Sequence, residues 1–223
     1  MTNIEADSRF WYGIAKTASH DMGTPLSSIM GWLQLIPSMP DSQIPFDEIF
    51  YSVERMTTIS NRLELLAPPT RKQKVDLFPI AEAIVIYFEK RIGKDQNRIK
   101  FHVAMAPDDN LMGQPELIHW AIEHLVKNAV DALVDMKGEI RLEYTQDERD
   151  SLVRVLDSGI GITDIDPQKL FEPGYTTKKK GRGIGLPLVK HIVETLHQGA
   201  VQIQKADPPF NTLVELRIPQ SQL

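Results

Sequence analysis

The sequence predicts an α+β protein: an antiparallel helical hairpin followed by a two-layer α/β sandwich. Three observations carry this. Up to Ala67 the apolar residues recur at steps of three and four, without strand alternation. A double proline and a charged run then interrupt the pattern, and from Val75 onward helical and strand-like segments are interspersed. The expected organisation is a hairpin over residues 8–67, a linker over 68–74 and a second domain over 75–219.

The first helix follows from Phe10, Ile14, Ala18, Met22, Pro25, Ile29, Trp32 or Leu33, and Ile36. Pro37, Pro40 and Pro45 break it. The second helix carries Phe46, Ile49, Val53, Met56, Ser60, Leu63 and Ala67 on one stripe, widened by Phe50, Ile59 and Leu66. A lone hairpin has one shallow contact surface, whereas pairing two hairpins into a four-helix bundle buries wide stripes, so a homodimer is expected. Packing of the helices on the second domain of the same chain is the alternative. Pro68-Pro69 stops the second helix, and Arg71-Lys72-Gln73-Lys74 has nothing to bury, which suits a hinge.

In the second domain the pattern predicts helices over 80–91 and 114–136 and one within 181–199. Strands are expected over 98–104, 138–145, 151–156, 200–205 and 212–218. The stretch from Ile162 to Lys180 lacks periodicity and reads as a long functional loop.

The 42% hydrophobic and 25% charged content fit a soluble globular protein, and a formal charge of −5 leaves no basic surplus for nucleic acid. The absence of cysteine excludes disulfides and thiol catalysis. None of the six histidines stands in an HExxH spacing. No apolar run reaches the ~20 residues that cross a bilayer, and the acidic N-terminus is no signal peptide. No membrane contact is expected of this stretch, which reads as cytoplasmic. A longer natural protein, anchored through a segment upstream, stays open.

Four segments carry chemistry. In Asp157-Ser-Gly-Ile-Gly161, after an apolar strand, glycines admit a ligand close to the backbone and a carboxylate can accept from an exocyclic amine such as that of adenine. An ordinary β-turn is the plain alternative. Gly181-Arg-Gly183-Ile-Gly185-Leu opens a helix, where backbone N–H groups and the helix dipole favour an anion; it is neither a Walker A loop nor a Rossmann fingerprint. His124 and Asn128 share a helix face, and an asparagine can offer its oxygen to Mg²⁺. Finally, His20 stands beside Asp21 on helix one, a histidine nucleophile with a carboxylate able to orient its ring, while Pro25 is expected to loosen the helix after it.

In this order the segments resemble the sensor histidine kinases of two-component systems. Thr17-Ala-Ser-His20-Asp-Met-Gly-Thr24-Pro-Leu resembles the phospho-acceptor box, and Glu123-His124-Leu-Val-Lys-Asn128-Ala-Val-Asp131-Ala the asparagine box. Asp157-Ser-Gly159-Ile-Gly161 resembles the first glycine box, Leu170-Phe-Glu-Pro-Gly-Tyr-Thr-Thr-Lys178 the phenylalanine box and Gly181-Arg-Gly183-Ile-Gly185-Leu the second glycine box. Val75-Asp-Leu-Phe-Pro-Ile and Asn211-Thr-Leu-Val-Glu-Leu-Arg-Ile-Pro also fit, so the resemblance runs from about residue 10 to 219.

The resemblance implies a dimeric phosphotransfer bundle and a Bergerat-type ATPase domain. His20 would take the γ-phosphoryl group of ATP and pass it to an aspartate on the receiver domain of a response regulator. Asp21 would orient His20 and accept its proton, and Thr24 would assist in hydrolysing the phosphorylated partner. Asn128 would bind Mg²⁺, with His124 beside it. Asp157 would read adenine, Gly159 and Gly161 would line the base pocket, and Lys178, Gly181, Gly183 and Gly185 would meet the phosphates.

The sequence departs from the pattern at several positions. Asp21 stands for a commoner glutamate, Gly23 for arginine, and Gly174 for phenylalanine, which is expected to loosen packing. Asp131 stands where a phosphate-binding lysine is frequent, leaving Lys127 or Lys178–Lys180 to supply positive charge. Asn211 replaces a glycine and is expected to tolerate positive φ. Two other readings stay open: a degenerate dimeric docking scaffold with weak or absent kinase activity, and another ATPase of the gyrase and MutL superfamily. Against the latter, such enzymes usually carry glutamate where His124 stands, and Glu123 faces about 100° away.

Overall fold

The computed structural model describes residues 3–40, 44–67, 72–92, 98–162, 166–178 and 181–220. The chain divides into two compact units, Met1–Pro68 and Pro69–Leu223. Of the expected linker, residues 68–71 lie outside the described residues.

The first unit is the expected hairpin. Helix α1 spans Asn3–Leu35, a short 3₁₀ turn follows at Ile36–Ser38, and α2 spans Phe46–Glu64. Pro25 sits inside α1 without ending it, and its ring is buried; the expected loosening does not interrupt the helix. On α2 the stripe turned inward is rotated from the one expected. Ser52 is buried, as is Leu66 just beyond the helix, and Ile49, Met56, Ile59 and Leu63 are half-buried, whereas Phe46 and Val53 are exposed. In α1 only Phe10, Ile14 and Pro25 are buried among the residues whose side chains are described.

The second unit has five strands in the order β2-β4-β5-β7-β6, with β2 (Ile99–Ala104), β4 (Gly138–Gln146), β5 (Asp150–Asp157), β6 (Ala200–Lys205) and β7 (Thr212–Pro219). β2 and β4 are parallel and the other pairs antiparallel. Two short strands, β1 (Gln73–Asp76) and β3 (Asn110–Gly113), pair antiparallel in a separate ribbon that the periodicity did not predict.

Three helices supply the second layer: α3 (Leu77–Ile92), α4 (Pro115–Ala132) and α5 (Gly185–Lys190), which passes into a π-helical turn at His191–Leu196. Leu117, Ile118, Ala121, Ile122, Leu125 and Val126 of α4, Leu188 and Val189 of α5 and Ile192 and Val193 of the π-helical turn form a core with Ile140, Leu142, Val153, Val155 and Leu216 of the sheet. Alternate positions of the strands carry charge. Arg154 pairs across to Glu215 at 2.7 Å, its register partner on β7, and Arg217 reaches Asp150 and Glu215. The architecture is the expected α+β one, a hairpin and a two-layer sandwich.

The expected helix over 114–136 ends early. Leu133 is extended, Asp135 adopts φ 52°, and a 3₁₀ turn covers Val134–Met136. This early stop matters for the site, because the carbonyl of Ala132 at the end of α4 is where the Asp157 loop docks.

Candidate nucleotide and phospho-acceptor sites

Asp157 ends β5, the middle strand of the sheet, and its side chain is buried. Its Oδ1 accepts from the Gly159 N–H at 2.9 Å and from the hydroxyl of Thr212, its register partner on β7, at 3.2 Å. Among the described residues none bonds Oδ2, which leaves that oxygen for a ligand donor. Burial pushes the Asp157 carboxyl above the ordinary aspartate value, and the two hydrogen bonds pull only partly against it.

The glycines after Asp157 have separate reasons. A Cβ on Gly159 would lie 2.6 Å from the Ala132 carbonyl oxygen, so only glycine lets the turn close on α4, where the Ile160 N–H donates to that same carbonyl at 3.0 Å. Gly161 adopts φ +74°, a backbone that other residues rarely take.

Asn211 does something the sequence reading missed. It does not adopt the expected positive φ; among the described residues only Asp135 and Gln198 do so besides glycines. Its backbone N–H donates to the Asp157 carbonyl at 2.8 Å, and its side-chain amide donates to the carbonyls of Gly159 at 2.7 Å and Ser158 at 3.3 Å. The asparagine therefore clamps the whole turn from β7. Thr212, quoted only within a closing motif, is the second residue missed; its place opposite Asp157 is a matter of strand register, which a single sequence does not print.

Across from this turn, α4 presents His124 and Asn128. A Cβ on Gly185 would lie 3.6 Å from His124 Nδ1 and 3.8 Å from Asn128 Nδ2, so the second glycine segment runs beside both side chains. Gly183 adopts φ +62° with its virtual Cβ against the backbone of Gly174 and Tyr175, and its carbonyl accepts from the Gly174 N–H at 2.9 Å. Gly174 itself has φ +89°. The residue makes a turn bonded to Gly183, a backbone that phenylalanine rarely takes, and no atom lies within 4 Å of its Cβ position. Phe171 anchors the same segment, buried and covered by the Lys190 ammonium at 5.7 Å from the ring centre.

Lys178 reaches back to α4. Its ammonium donates to Asn128 Oδ1 at 3.0 Å and to Asp131 Oδ2 at 2.7 Å. The acidic residue that looked like a lost phosphate contact is thus the partner of the lysine expected to meet the phosphates. Lys179 and Lys180 lie outside the described residues, as do 163–165 of the long loop. Gly181 donates to the Lys178 carbonyl at 3.0 Å and packs on the Thr176 hydroxyl, leaving no room for a Cβ.

The second unit therefore brings Asp157, Gly159 and Gly161 into one turn, and His124, Asn128, Lys178, Gly181, Gly183 and Gly185 into a second group. These side chains fit a metal-bound nucleotide: a buried acceptor for an amine, an amide oxygen for a metal, and a lysine for phosphate. Among the described residues no cluster of three or more histidine, aspartate or glutamate side chains could hold a metal by itself, so water or phosphate oxygens would complete any site that includes Asn128. A separate cavity of about 240 Å³ is lined by Ile160, Gly161, Ile162, Lys205 and Asn211. It shares only Gly161 with the expected set, and its lining offers no carboxylate to an amine, so the nucleotide assignment rests on Asp157 and Asn128 instead.

In the first unit, His20 and Thr24 are exposed one turn apart on the same face of α1, and Asp21 is half-buried beside them. Among the described residues, no helix is long and apolar enough to cross a membrane.

Comparison with known proteins agrees with this geometry. Residues 113–222 match the family described as "Histidine kinase-, DNA gyrase B-, and HSP90-like ATPase". Sporulation kinase A of Bacillus subtilis is 29% identical over 93% of this chain and 34% of its own length. Sensor histidine kinase ZraS of Escherichia coli K12 is 26% identical over 89% of this chain and 43% of its own. The chain thus spans about a third to under a half of these curated relatives. Among solved structures, the catalytic domain of histidine kinase ThkA matches with a TM-score of 0.59 at 24% identity, covering 67% of this chain and 97% of that one. ThkA in complex with response regulator protein TrrA matches at 0.58 and 20% identity, covering 93% of this chain and 61% of that one. At these identities the structural matches establish the fold.

Proposed function

Because residues 113–222 belong to the histidine kinase-, DNA gyrase B- and HSP90-like ATPase family, and the chain is related along nine-tenths of its length to sensor histidine kinases, we propose that it is a histidine autokinase core. The observation that carries the reading is the buried Asp157 carboxylate, held by Gly159 and Thr212 with an oxygen to spare, in the same unit as Asn128 and Lys178.

In this reading Asp157 accepts from the adenine amine, and the Asn211-clamped turn holds its carboxylate in place. Asn128 offers Oδ1 to Mg²⁺, His124 stands beside it, and Gly181, Gly183 and Gly185 direct the backbone toward the phosphates. Mg²⁺, when bound with the nucleotide, neutralises phosphate charge. His20 attacks the γ-phosphorus through a ring nitrogen while the bond to the ADP oxygen breaks. Asp21 holds the opposite ring N–H and takes up the proton that the imidazole must release. The phosphoryl group then passes to an aspartate of a response-regulator receiver domain, with Thr24 placed to assist hydrolysis of that phosphoaspartate.

A homodimer completes the proposal. Leu26, Met30 and Leu33 of α1 and Phe46, Phe50 and Val53 of α2 form exposed apolar stripes at i, i+4, i+7. Phe46 and Phe50 are 66% and 64% exposed, a poor arrangement for an isolated hairpin and a suitable one for a four-helix bundle.

The test is incubation of the chain with γ-labelled ATP and Mg²⁺. Acid-labile, alkali-stable label is expected on the wild type and lost in His20→Gln and Asn128→Asp, with only His20→Gln still binding nucleotide normally. A folded, nucleotide-binding wild type that takes no label would favour the docking scaffold.

A further inference from the structure

Asp131 has no role in the reading above, yet it lies one turn from Asn128 on α4, and a single cation touches both. The Lys178 ammonium stands 3.0 Å from Asn128 Oδ1 and 2.7 Å from Asp131 Oδ2. Asn128 Oδ1 is also the atom the proposed function offers to the metal, and one oxygen lone-pair direction cannot face an ammonium and a divalent ion together. We infer that Asn128 and Asp131 form a two-oxygen cation site, that Asp131 is a second metal-side ligand, and that Lys178 fills the site while no nucleotide is bound. The inference rests on the nucleotide reading for its purpose, though not for its geometry.

Three features support it. The ion pair is about two-fifths exposed on both sides, so it is weak enough to exchange with a stronger cation. A hard divalent ion prefers oxygen ligands and typically takes one or two from the protein and the rest from phosphate and water, which is the number available here. The charge count also balances: Asp131 brings the negative charge that a neutral asparagine lacks, and a Lys178 released from Asn128 Oδ1 stays in reach of phosphate as the positive charge α4 does not provide at that position. An acidic residue where the resemblance leads one to expect a lysine is then a transfer of that lysine's role to residue 178.

The experiment is a Mn²⁺ titration of the nucleotide-free full chain, followed by paramagnetic broadening or water relaxation, for wild type, Lys178→Gln, Asp131→Asn and the double variant. Both substitutions are on exposed side chains, and circular dichroism checks that each variant folds. Lys178→Gln is expected to bind Mn²⁺ about fivefold more tightly, the upper end for removing an exposed charge contact. Asp131→Asn is expected to abolish that gain in the double variant. An unchanged or weakened Mn²⁺ affinity in Lys178→Gln, or a gain that survives without Asp131, overturns the inference. A parallel titration with a non-hydrolysable ATP analogue separates the two readings: no nucleotide binding by a wild type whose Lys178→Gln variant gains Mn²⁺ would sink the ATPase assignment and keep the cation site.

Discussion

The two units of this chain treat apolar surface in opposite ways. The sandwich closes its core, with Leu117, Ile118, Ile122, Ile140, Leu142 and Leu216 almost wholly removed from solvent. The hairpin buries few side chains and leaves Tyr12, Met30, Leu33, Phe46, Phe50 and Tyr51 exposed. Polar groups divide in reverse. The sandwich buries the Asp157 carboxylate, bonded through Oδ1, and the His197 ring, bonded at both nitrogens, whereas the hairpin displays its candidate nucleophile, His20, in the open. A domain that holds a small molecule needs preorganised buried dipoles. Under the proposed function, a segment that gives and receives a phosphoryl group would need an accessible acceptor, and its exposed apolar stripes would be covered by a second copy.

The largest effect should come from breaking the hairpin's exposed stripe. Phe50→Glu or Leu33→Glu places a charge in the proposed bundle and should weaken dimerisation by 100-fold or more, on the order of 3 kcal/mol. Light scattering after size exclusion would show a monomer, while nucleotide affinity of the sandwich stays within about twofold. A wild type already monomeric at tens of micromolar would leave the stripe to another partner and sink the homodimer.

Asp157 sharpens the contrast from the other side. Its folded pKa is raised, so the ionised form costs stability at all pH above the unfolded value of ~3.8, and protonation restores it. Asp157→Asn keeps an Oδ1 acceptor for Gly159 and Thr212 but loses the charge. Expected is a nucleotide affinity lower by about 100-fold together with a melting temperature higher by ~3 °C, the shift that about 1 kcal/mol makes in a domain of this size. Calorimetry with and without nucleotide reads both. A variant that loses binding and stability together would make Asp157 a purely structural residue.

Much of the fold was legible because its elements are long and periodic. The hairpin, α3 and the five sheet strands follow from step sizes that survive without neighbours. What was not legible depended on contacts far apart in sequence. β1 and β3 have four residues each, too few for alternation to register, and exist only because each pairs with the other. The end of α4 at Ala132 is where the Ile160 N–H of the Asp157 turn docks, a contact between residues far apart in sequence. In the site, the motif residues stood out by type, yet Asp131 read as a defect until Lys178 was placed beside it. Gly174 read as a missing phenylalanine until its φ of +89° was seen.

His197 is a further case, invisible by motif and wholly buried. Its Nε2 accepts from the Gln114 N–H at the start of α4 at 3.0 Å, and Nδ1 lies 2.8 Å from the Ile192 carbonyl, which requires the neutral ring with its proton on Nδ1. Burial pushes its pKa below the ordinary histidine value, against the pull of the Ile192 carbonyl, and the Lys72 ammonium adds to the depression. A lowered folded pKa means that the stabilising contribution is complete above the unfolded value of about 6.5 and is lost as pH falls toward the folded one. The melting temperature of the sandwich should therefore drop between pH 7 and 5. His197→Phe should be less stable at pH 8 by ~1–3 kcal/mol, because the Gln114 N–H loses its acceptor, and should lack the histidine part of the acid drop. An equal drop in both proteins would assign it to other groups.

The smallest effect tests whether the sandwich's preorganisation reaches beyond residues that would touch a ligand. Asn211 holds the carbonyls of Ser158 and Gly159 through its side chain and the Asp157 carbonyl through its backbone N–H. Asn211→Gly, the residue the resemblance leads one to expect, keeps the backbone bond and removes both side-chain bonds. Nucleotide affinity should fall about fivefold, the equivalent of one net hydrogen bond at ~1 kcal/mol. Asn211→Asp is the sharper probe: its carboxylate would face two carbonyl oxygens it cannot donate to, so the turn should open and affinity fall further than in the glycine variant. The two outcomes separate positioning from packing. If Asn211 acts by orienting Asp157, the aspartate variant binds worst although its size is unchanged; if it merely fills space beside Gly161, the aspartate variant behaves as wild type and only glycine is impaired.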